Sequence, residues 1–443
     1  MEWHLSKYTM FTKPPKHNFM VAVNLMKGTQ TILLPDELPK LLDFKTLNEE
    51  DKLFKKFEKQ GLIVNYDELA MLDAMAKVRS DIRSMALTIC PTLNCNFDCP
   101  YCFERHHIGK MSEEIQDKVI SFADKMLESS KARLLFVTWY GGEPLLEPKI
   151  IENLSSKLIK LCEDKKIDYK ASIITNGYLL TQKIVDMLAN YKVLRYQITI
   201  DGIEETHDKT RRLANGDGTF YHIIENLQNL KIQGVISIRH NIYKDNIQEK
   251  EILENLIKKI KKQSGNNLYY YPAIVIGNKA SPSNEGVNTL SIEEQCEILL
   301  SKNMQSSSGM AHYCGAQQMS SFVIDNEGRL YKCWEDVDKP ERSFGDIKTW
   351  NPYNEFYSCN NVENLIKYLN LAGCLEDKEC RECIWLPLCK GGCPSKRLFF
   401  KKQCLPYKDK PELYLSKLIE KNLKDWEIRH NINNEEYEQY NKC

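Results

Sequence analysis

The placement of cysteine constrains this chain more than any other feature. Sixteen cysteines occur in 443 residues, and four of them lie between Cys90 and Cys102 while nine lie between Cys314 and Cys404. The first twenty residues lack the apolar core of a signal peptide, so we expect a cytoplasmic protein in which disulfides do not persist. Clustered thiols in such a compartment bind metal or react. Three isolated cysteines are interpreted as small apolar or terminal residues: Cys162, Cys296 and Cys443.

Composition describes a globular protein without a polyanionic partner. Apolar residues make up 42% and charged residues 28%, which is enough material for a sizeable core. Lysine plus arginine equals aspartate plus glutamate at 61 each, so no net charge favours nucleic acid or an anionic membrane. No run approaches the roughly 18 apolar residues of a transmembrane helix. Changes in the sequence pattern predict four structural regions: residues 1–82, 83–305, 306–408 and 409–443.

Residues 1–82 predict a small unit of short strands and three helices. Two alternating segments flank Met26-Lys27-Gly28, which suits a hairpin turn. The predicted elements are strands at 18–25 and 29–35, helices at 36–42, 48–60 and 66–80, and a short strand at 61–64. This mixture resembles a winged-helix-like domain, with a plain N-terminal extension as the alternative.

Residues 83–305 alternate between strand and helix patterns. Predicted strands are 86–90, 133–140, 169–175, 195–200, 235–242 and 268–276, and predicted helices lie near 113–128, 149–163, 181–191, 219–232, 247–263 and 291–302. This alternation indicates βαβ units with a parallel sheet. We therefore predict an α/β fold, a partial (β/α)6 TIM-like barrel whose functional loops follow the carboxyl ends of the strands. Beyond about residue 310 turns and cysteines replace the pattern, predicting a cysteine-rich iron–sulfur domain, and the final segment predicts a solvated amphipathic helix.

Three cysteines follow the first predicted barrel strand in the spacing C-x3-C-x2-C. Cys95, Cys99 and Cys102 can bind three irons of a 4Fe–4S cluster and leave the fourth iron open. A zinc site, which needs four ligands, is the alternative, and His106 or His107 would then supply the fourth ligand.

This motif and its surroundings resemble the radical S-adenosylmethionine (SAM) enzymes. Three further segments lie at strand ends in the order of that family: Tyr-Gly-Gly-Glu-Pro after the second strand, Thr-Asn-Gly after the third, and Thr-Ile-Asp-Gly with a later His-Asp-Lys-Thr-Arg after the fourth. Thr199 stands where the family commonly has serine. The resemblance implies cleavage of SAM to a 5′-deoxyadenosyl radical. It also implies a set of SAM-binding residues: Tyr101, Gly141, Gly142, Glu143, Asn176, Thr199, Asp201 and Arg211.

The later cysteines follow the pattern C-x13-G-x4-C, C-x2-C-x5-C-x3-C and a final C. This pattern resembles the SPASM extension of radical SAM enzymes, which carries two auxiliary 4Fe–4S clusters and would bring the total to three clusters. The resemblance implies one cluster on Cys380, Cys383, Cys389 and Cys404. It implies another on Cys314, Cys333 and Cys393, whose fourth ligand is Cys374, Cys359 or absent. A four-thiolate zinc site within residues 380–393 is the alternative, although it leaves three motif cysteines unexplained.

The resemblance also implies a substrate class. SPASM proteins act on peptides or proteins, and the N-terminal unit resembles the leader-binding element of peptide-maturating enzymes, which captures a leader as an added strand. We therefore predict an oxidoreductase that matures a ribosomally made (RiPP) precursor peptide, with a thioether cross-link as the expected product. The implied partners are the precursor peptide with its leader and a reductant such as flavodoxin or ferredoxin, with no nucleic acid and no membrane.

Two other functions stay open. Sulfatase-maturating relatives carry an aspartate directly after the cysteine that corresponds to Cys333, whereas this chain has Trp334 followed by Glu335 and Asp336. Glu335 and Asp336 are the candidate catalytic bases for any of these activities. The other alternative is an iron–sulfur electron carrier or peptide-binding chaperone, and the SAM-type segments argue against it.

Overall fold

The N-terminal residues form two small antiparallel sheets and three helices. The computed structural model describes residues 2–15, 17–79, 83–104, 109–275, 290–301, 314–351, 359–371, 374–400 and 402–429. The first elements are β1 (His4–Leu5), β2 (Thr9–Thr12), β3 (Met20–Asn24), β4 (Thr29–Leu33), α1 (Glu37–Leu42), α2 (Lys52–Gln60), β5 (Ile63–Val64) and α3 (Glu68–Arg79). Strands β2, β3 and β4 pair in that order, and β1 pairs with β5. The predicted hairpin, short strand and three helices are confirmed, whereas the short β1 and β2 were not predicted.

Six parallel strands form the centre of the molecule. They are β6 (Ser84–Ile89), β7 (Leu134–Trp139), β8 (Asp168–Thr175), β9 (Val193–Thr199), β10 (Val235–Ile242) and β11 (Asn267–Ile274). The helices of this region are α4 (Glu113–Ser129), α5 (Pro148–Lys165), α6 (Gln182–Asn190), α7 (Glu204–Thr210), α8 (Phe220–Asn229), α9 (Lys250–Ser264) and α10 (Ile292–Ser301). Each strand is parallel to its sequence neighbour, which confirms the partial TIM-like α/β fold. Only the short α7 was not predicted.

The central sheet continues into the cysteine-rich region. β12 (Ser321–Ile324) pairs parallel to β6, and β13 (Arg329–Tyr331) and β14 (Gly345–Asp346) follow antiparallel. These three short strands were not predicted within the cysteine-rich region. These strands have four, three and two residues, too few for a periodic pattern. The sheet thus fixes the cysteine-rich region directly beside the first barrel strand.

Short helices and one long helix complete the described structure. They are α11 (Val362–Ile366), α12 (Lys378–Glu382), α13 (Leu386–Cys389), α14 (Pro394–Phe399) and α15 (Pro411–Arg429). None of the helices in the described ranges has the length and apolar character that crossing a membrane would require. The largest apolar core lies between the parallel strands and the helices that connect them.

The C-terminal helix α15 belongs to a second apolar core. The predicted amphipathic helix is present, but its apolar face is buried and not solvated: Tyr414, Leu415, Leu418 and Ile419 are covered. They pack in one cluster with apolar side chains from two other regions: Tyr8, Met10, Val21, Cys380, Trp385 and Tyr407. We call this cluster the shared core. It joins the N-terminal unit to the cysteine-rich region, which periodicity within one helix could not reveal.

Truncating a side chain of the shared core tests this position of α15. Leu418 is 1% exposed, so we expect Leu418→Ala to lower the free energy of unfolding by about 2–5 kcal/mol through lost burial and a cavity. Leu42→Ala is the matched control, because Leu42 is 59% exposed. Urea denaturation measures both, and equal effects would contradict the packing.

Candidate active site

The loops after the first four parallel strands meet at one end of the barrel. The Glu143 N–H, after β7, donates to the Asn94 carbonyl after β6 at 2.9 Å. The Asn176 Nδ2, after β8, donates to Asn96 Oδ1 at 2.8 Å. Parallel strands place their carboxyl ends at one edge, and these bonds fix the loops against one another there.

The two glycines after β7 allow that close approach. A Cβ on Gly141 would lie 2.2 Å from the Thr92 carbonyl oxygen, and its φ is +113°. A Cβ on Gly142 would lie 2.4 Å from the Asn94 carbonyl oxygen. No other residue type fits either position without moving the cysteine-bearing loop.

The Glu143 carboxylate holds two of these loops together. It accepts hydrogen bonds from Thr175 Oγ1 at 2.8 Å, from the Asn176 N–H at 2.7 Å and from the Leu145 N–H at 3.0 Å. Burial raises the pKa of Glu143, and the three hydrogen bonds oppose that shift. The side chain therefore positions the loops, and the neighbouring backbone is left to contact a ligand.

A buried charged network lies beside the first cysteine group. The Tyr101 hydroxyl donates to Asp201 Oδ2, and Arg211 Nη1 donates to Tyr101 Oη at 2.9 Å. Burial raises the pKa of Cys99, and the Arg211 charge opposes the rise. Sequence position alone could not show that Tyr101, Asp201 and Arg211 form one network, because they come from three segments.

Several polar atoms at this end lack partners in the described part of the chain. They are Asp201 Oδ1, Arg211 Nε and Asn96 Nδ2, all buried. Buried polar atoms of native proteins normally have partners, so an acceptor and two donors here fit a polar ligand with both kinds of group. SAM, with its amino, carboxylate and hydroxyl groups, is such a ligand. Asn96 was not predicted, although its place between two motif cysteines was a usable signal. Thr199, the last residue of β9, is buried.

The first cysteine group is half-buried at the same end. Burial raises the pKa of Cys95 and of Cys102 to about 12, so both are thiols when no metal is bound. Iron binding requires thiolates and stabilises them, so this donor set fits a cluster. Among the described residues, no group of three His, Cys, Asp or Glu side chains is arranged to hold a single metal ion. A 4Fe–4S cluster does not need such a group, because each thiolate binds a different iron. His106 and His107 lie outside the described residues.

The structure brings Cys380, Cys383, Cys389 and Cys404 together around one pocket. This is the set that the sequence pattern assigned to one cluster. Arg397 Nη2 donates to Cys380 Sγ at 3.0 Å, a contact that stabilises a thiolate.

A separate trio contains Cys314, Cys333 and Cys393. Burial raises the pKa of Cys333 and of Cys393, and the charges of Cys314 and Glu335 add to both shifts. Of the two proposed fourth ligands, Cys374 lies with the other cysteine set. Cys374 lies near Cys380 and Cys389, and Cys359 bridges to Gly345 at the edge of the sheet.

The two candidate catalytic carboxylates have different surroundings. Asp336 is fully buried, with Oδ1 3.0 Å from Arg342 Nη1 and Oδ2 accepting from the Tyr368 hydroxyl. Both oxygens are engaged, so its position does not support a role as base. Glu335 Oε1 lies 3.3 Å from Lys396 Nζ, while Oε2 is buried without a partner among the described residues. Of the two, only Glu335 has an oxygen left for chemistry.

Cys162 and Cys296 are buried, in agreement with their interpretation as small apolar residues, and Cys443 lies outside the described residues. Cys90, at the end of the first barrel strand, is also buried.

A buried histidine in the barrel predicts a pH-dependent stability. His240 lies in β10 with its Nδ1 2.8 Å from Tyr270 Oη, and burial lowers its pKa from 6.5 to about 3. The unfolded chain therefore binds a proton below pH 6.5 that the folded chain does not, and stability falls as the pH drops from 6.5 towards 3. We expect His240→Gln to reduce this acid-side slope of the unfolding temperature. An unchanged slope in the variant would contradict the assignment, with the exposed His222→Gln as control.

Comparison with known proteins agrees with this geometry. Residues 89–258 match the family model of the Radical SAM superfamily. The chain is 25% identical over 350 residues to the cysteine-type anaerobic sulfatase-maturating enzyme of Clostridium novyi, covering 70% of this chain and 88% of that one. It is 26% identical over 352 residues to the serine-type enzyme of Bacteroides thetaiotaomicron, covering 68% and 80%.

A solved structure shows the same fold. The structure titled native anSMEcpe with bound AdoMet and Kp18Cys peptide aligns with a TM-score of 0.57 at 20% identity, over 79% of this chain and 100% of that one. The chain therefore contains a radical SAM domain. It is an enzyme, and over about two thirds of its length it is similar to anaerobic sulfatase-maturating enzymes. Radical SAM enzymes use SAM and a 4Fe–4S cluster.

Proposed function

We propose that this enzyme is a maturase that installs a cross-link, of the thioether class, in a ribosomally made precursor peptide. The shared core is the observation that carries the proposal. Tyr8 and Met10 of the N-terminal unit pack in one cluster with Cys380 and Trp385 of the cysteine-rich region. Lys7 Nζ adds a hydrogen bond of 3.1 Å to the Arg381 carbonyl. A peptide held by the N-terminal unit would therefore be held close to the auxiliary cysteines.

The N-terminal sheet offers a place for a leader peptide. In the order β2-β3-β4, β4 is an edge strand that pairs on one side with β3 in the described structure. An extended leader added to that edge would gain main-chain hydrogen bonds, as in other cases of strand addition. This assigns residues 1–82 as a winged-helix-like leader-recognition element.

The barrel supplies the radical chemistry in this proposal. Bound SAM, given one electron through the cluster, would split into methionine and a 5′-deoxyadenosyl radical that abstracts one hydrogen atom from a peptide carbon. That carbon would then bond to a cysteine sulfur, with the thiol proton lost to solvent and one electron passed to an auxiliary cluster. Cys95, Cys99 and Cys102 would hold that cluster, while the backbone at Gly141 and Gly142 and the free oxygen of Asp201 would orient SAM. The two later cysteine groups would hold two auxiliary clusters, and a flavodoxin or ferredoxin would supply the electron.

Sulfatase maturation is the second candidate, and sequence similarity favours it. The two sulfatase-maturating relatives match about two thirds or more of this chain. Trp334 and the engaged Asp336 count against it, because no free aspartate follows Cys333.

The two functions differ in what the enzyme needs from its substrate. Reconstituted enzyme is incubated without oxygen with SAM, dithionite and a leader-bearing, cysteine-containing peptide encoded beside its gene. We expect 5′-deoxyadenosine and a peptide lighter by two hydrogens, and neither with Cys99→Ala or with the leader removed. Turnover of a sulfatase-derived peptide without any leader would support the second candidate instead. No deoxyadenosine in any arm would contradict both.

A further inference from the structure

The trio of Cys314, Cys333 and Cys393 provides three thiolates for a cluster with four irons. Its fourth ligand is the part of the site that sequence patterns left undecided. Among the candidate cysteines, Cys374 lies with Cys380 and Cys389. We therefore consider the other described side chains at the trio as candidates for the fourth ligand.

We propose that the Glu335 carboxylate is the fourth protein ligand of the auxiliary cluster on this trio. The inference rests on the proposed cluster and deepens it. It makes the site a three-thiolate, one-carboxylate site, in place of an open iron or a fourth cysteine.

Glu335 lies between two members of the trio. Its own N–H donates to the sulfur of Cys333, so its backbone is fixed two residues after that ligand. Its Oε1 lies 3.3 Å from Lys396 Nζ, and the Lys396 N–H donates to the sulfur of Cys393. The Glu335 side chain, two residues after Cys333, is thus tied by Lys396 to helix α14, which begins directly after Cys393.

The free oxygen of Glu335 is the second observation. Oε2 is buried and has no hydrogen-bond partner in the described structure, whereas Oε1 is engaged by the lysine. A buried, unpartnered carboxylate oxygen is unfavourable without a cation or donor. An iron ion is such a cation, and a carboxylate oxygen is a chemically suitable ligand for iron.

The neighbouring Asp336 does not compete for this role. Both of its oxygens are already engaged, one by Arg342 and the other by Tyr368. The turn therefore leaves the Asp336 carboxylate in an internal ion pair and the Glu335 carboxylate available to the cysteines.

The test measures the iron content and the electron paramagnetic resonance spectrum of each protein, and it does not depend on turnover. The full chain carrying Cys95→Ala, Cys99→Ala and Cys102→Ala retains only the auxiliary sites and is the common background. Into it are placed Glu335→Ala, Glu335→Cys and, as matched control, Glu341→Ala, which alters an exposed glutamate of the same loop. Each protein is reconstituted without oxygen, analysed for iron, and examined by electron paramagnetic resonance after reduction with dithionite.

The background should bind about eight irons, which is two cubanes. With Glu335→Ala we expect iron loss or a changed resonance confined to one of the two clusters. With Glu335→Cys we expect full iron content and a resonance that differs from the background, and Glu341→Ala should match the background.

Background-like spectra and iron content in Glu335→Ala would overturn the carboxylate ligand while leaving the cluster in place. Equal losses in Glu335→Ala and Glu341→Ala would also overturn it, since the effect would then be general. About four irons in the background, unchanged in every Glu335 variant, would show instead that the trio holds no cluster, and the proposed auxiliary site would fail with the ligand.

Discussion

Gly142→Ala should slow the formation of 5′-deoxyadenosine by about 10²-fold or more, because small displacements of catalytic groups have effects of this size. The added Cβ would lie 2.4 Å from the Asn94 carbonyl oxygen and 2.6 Å from the Leu93 carbonyl oxygen. Both contacts are with backbone of the loop that leads to Cys95, so a side-chain rotation cannot relieve them. The loop must move, and the cysteines move with it.

Gly265→Ala is the matched control for this change. Gly265 ends α9, and a Cβ there would meet no atom within 4 Å. Alanine at this φ of +75° costs about 1 kcal/mol of stability. The substitution does not touch the end of the barrel that carries the cysteines. Deoxyadenosine assays on both reconstituted proteins decide the matter, and near-normal activity in Gly142→Ala would show that the loop contact is dispensable.

Arg211→Met should lower the free energy of unfolding by about 3–5 kcal/mol, the range for removing one partner of a buried charge pair. Arg211 lies in the buried network with Tyr101 and Asp201, and its loss removes the stronger of the two arginine charges, Arg211 and Arg239, that act on the Asp201 carboxylate. SAM binding should weaken as well, because Asp201 Oδ1 is one of the free polar atoms at the site.

The double variant Arg211→Met, Asp201→Asn separates charge imbalance from lost packing. With the charge removed from both partners, we expect it to recover a good part of the stability lost by Arg211→Met. Lys209→Met serves as the surface control, since Lys209 pairs with an exposed Glu205 on the same helix. Denaturant titrations give the free energies, and strict additivity of the two buried changes would refute the pairing.

Sequence patterns were informative where structure is local. The alternating runs that became β6–β11 and the glycine at the Met26-Lys27-Gly28 turn carry their conformations in neighbouring residues. The SAM-type segments were found because each directly follows a strand, and parallel strands bring such segments to one edge.

What the sequence did not show depends on contacts between distant residues. Nothing near Asp336 indicates that Arg342 and Tyr368 engage both of its oxygens. Glu335 and Lys396 are far apart in the chain, so their contact beside Cys393 has no local signal. The burial of Leu418 likewise depends on a partner surface made by the other end of the chain.

The shared core has a consequence for how the protein is made. Tyr8 and Met10 leave the ribosome before the side chains that cover them, which include Leu415 and Leu418. During synthesis the apolar face of the N-terminal unit therefore stays uncovered until helix α15 has emerged. The four cysteines around the auxiliary pocket also precede α15 in the chain, so the shared core closes only after all four have been made.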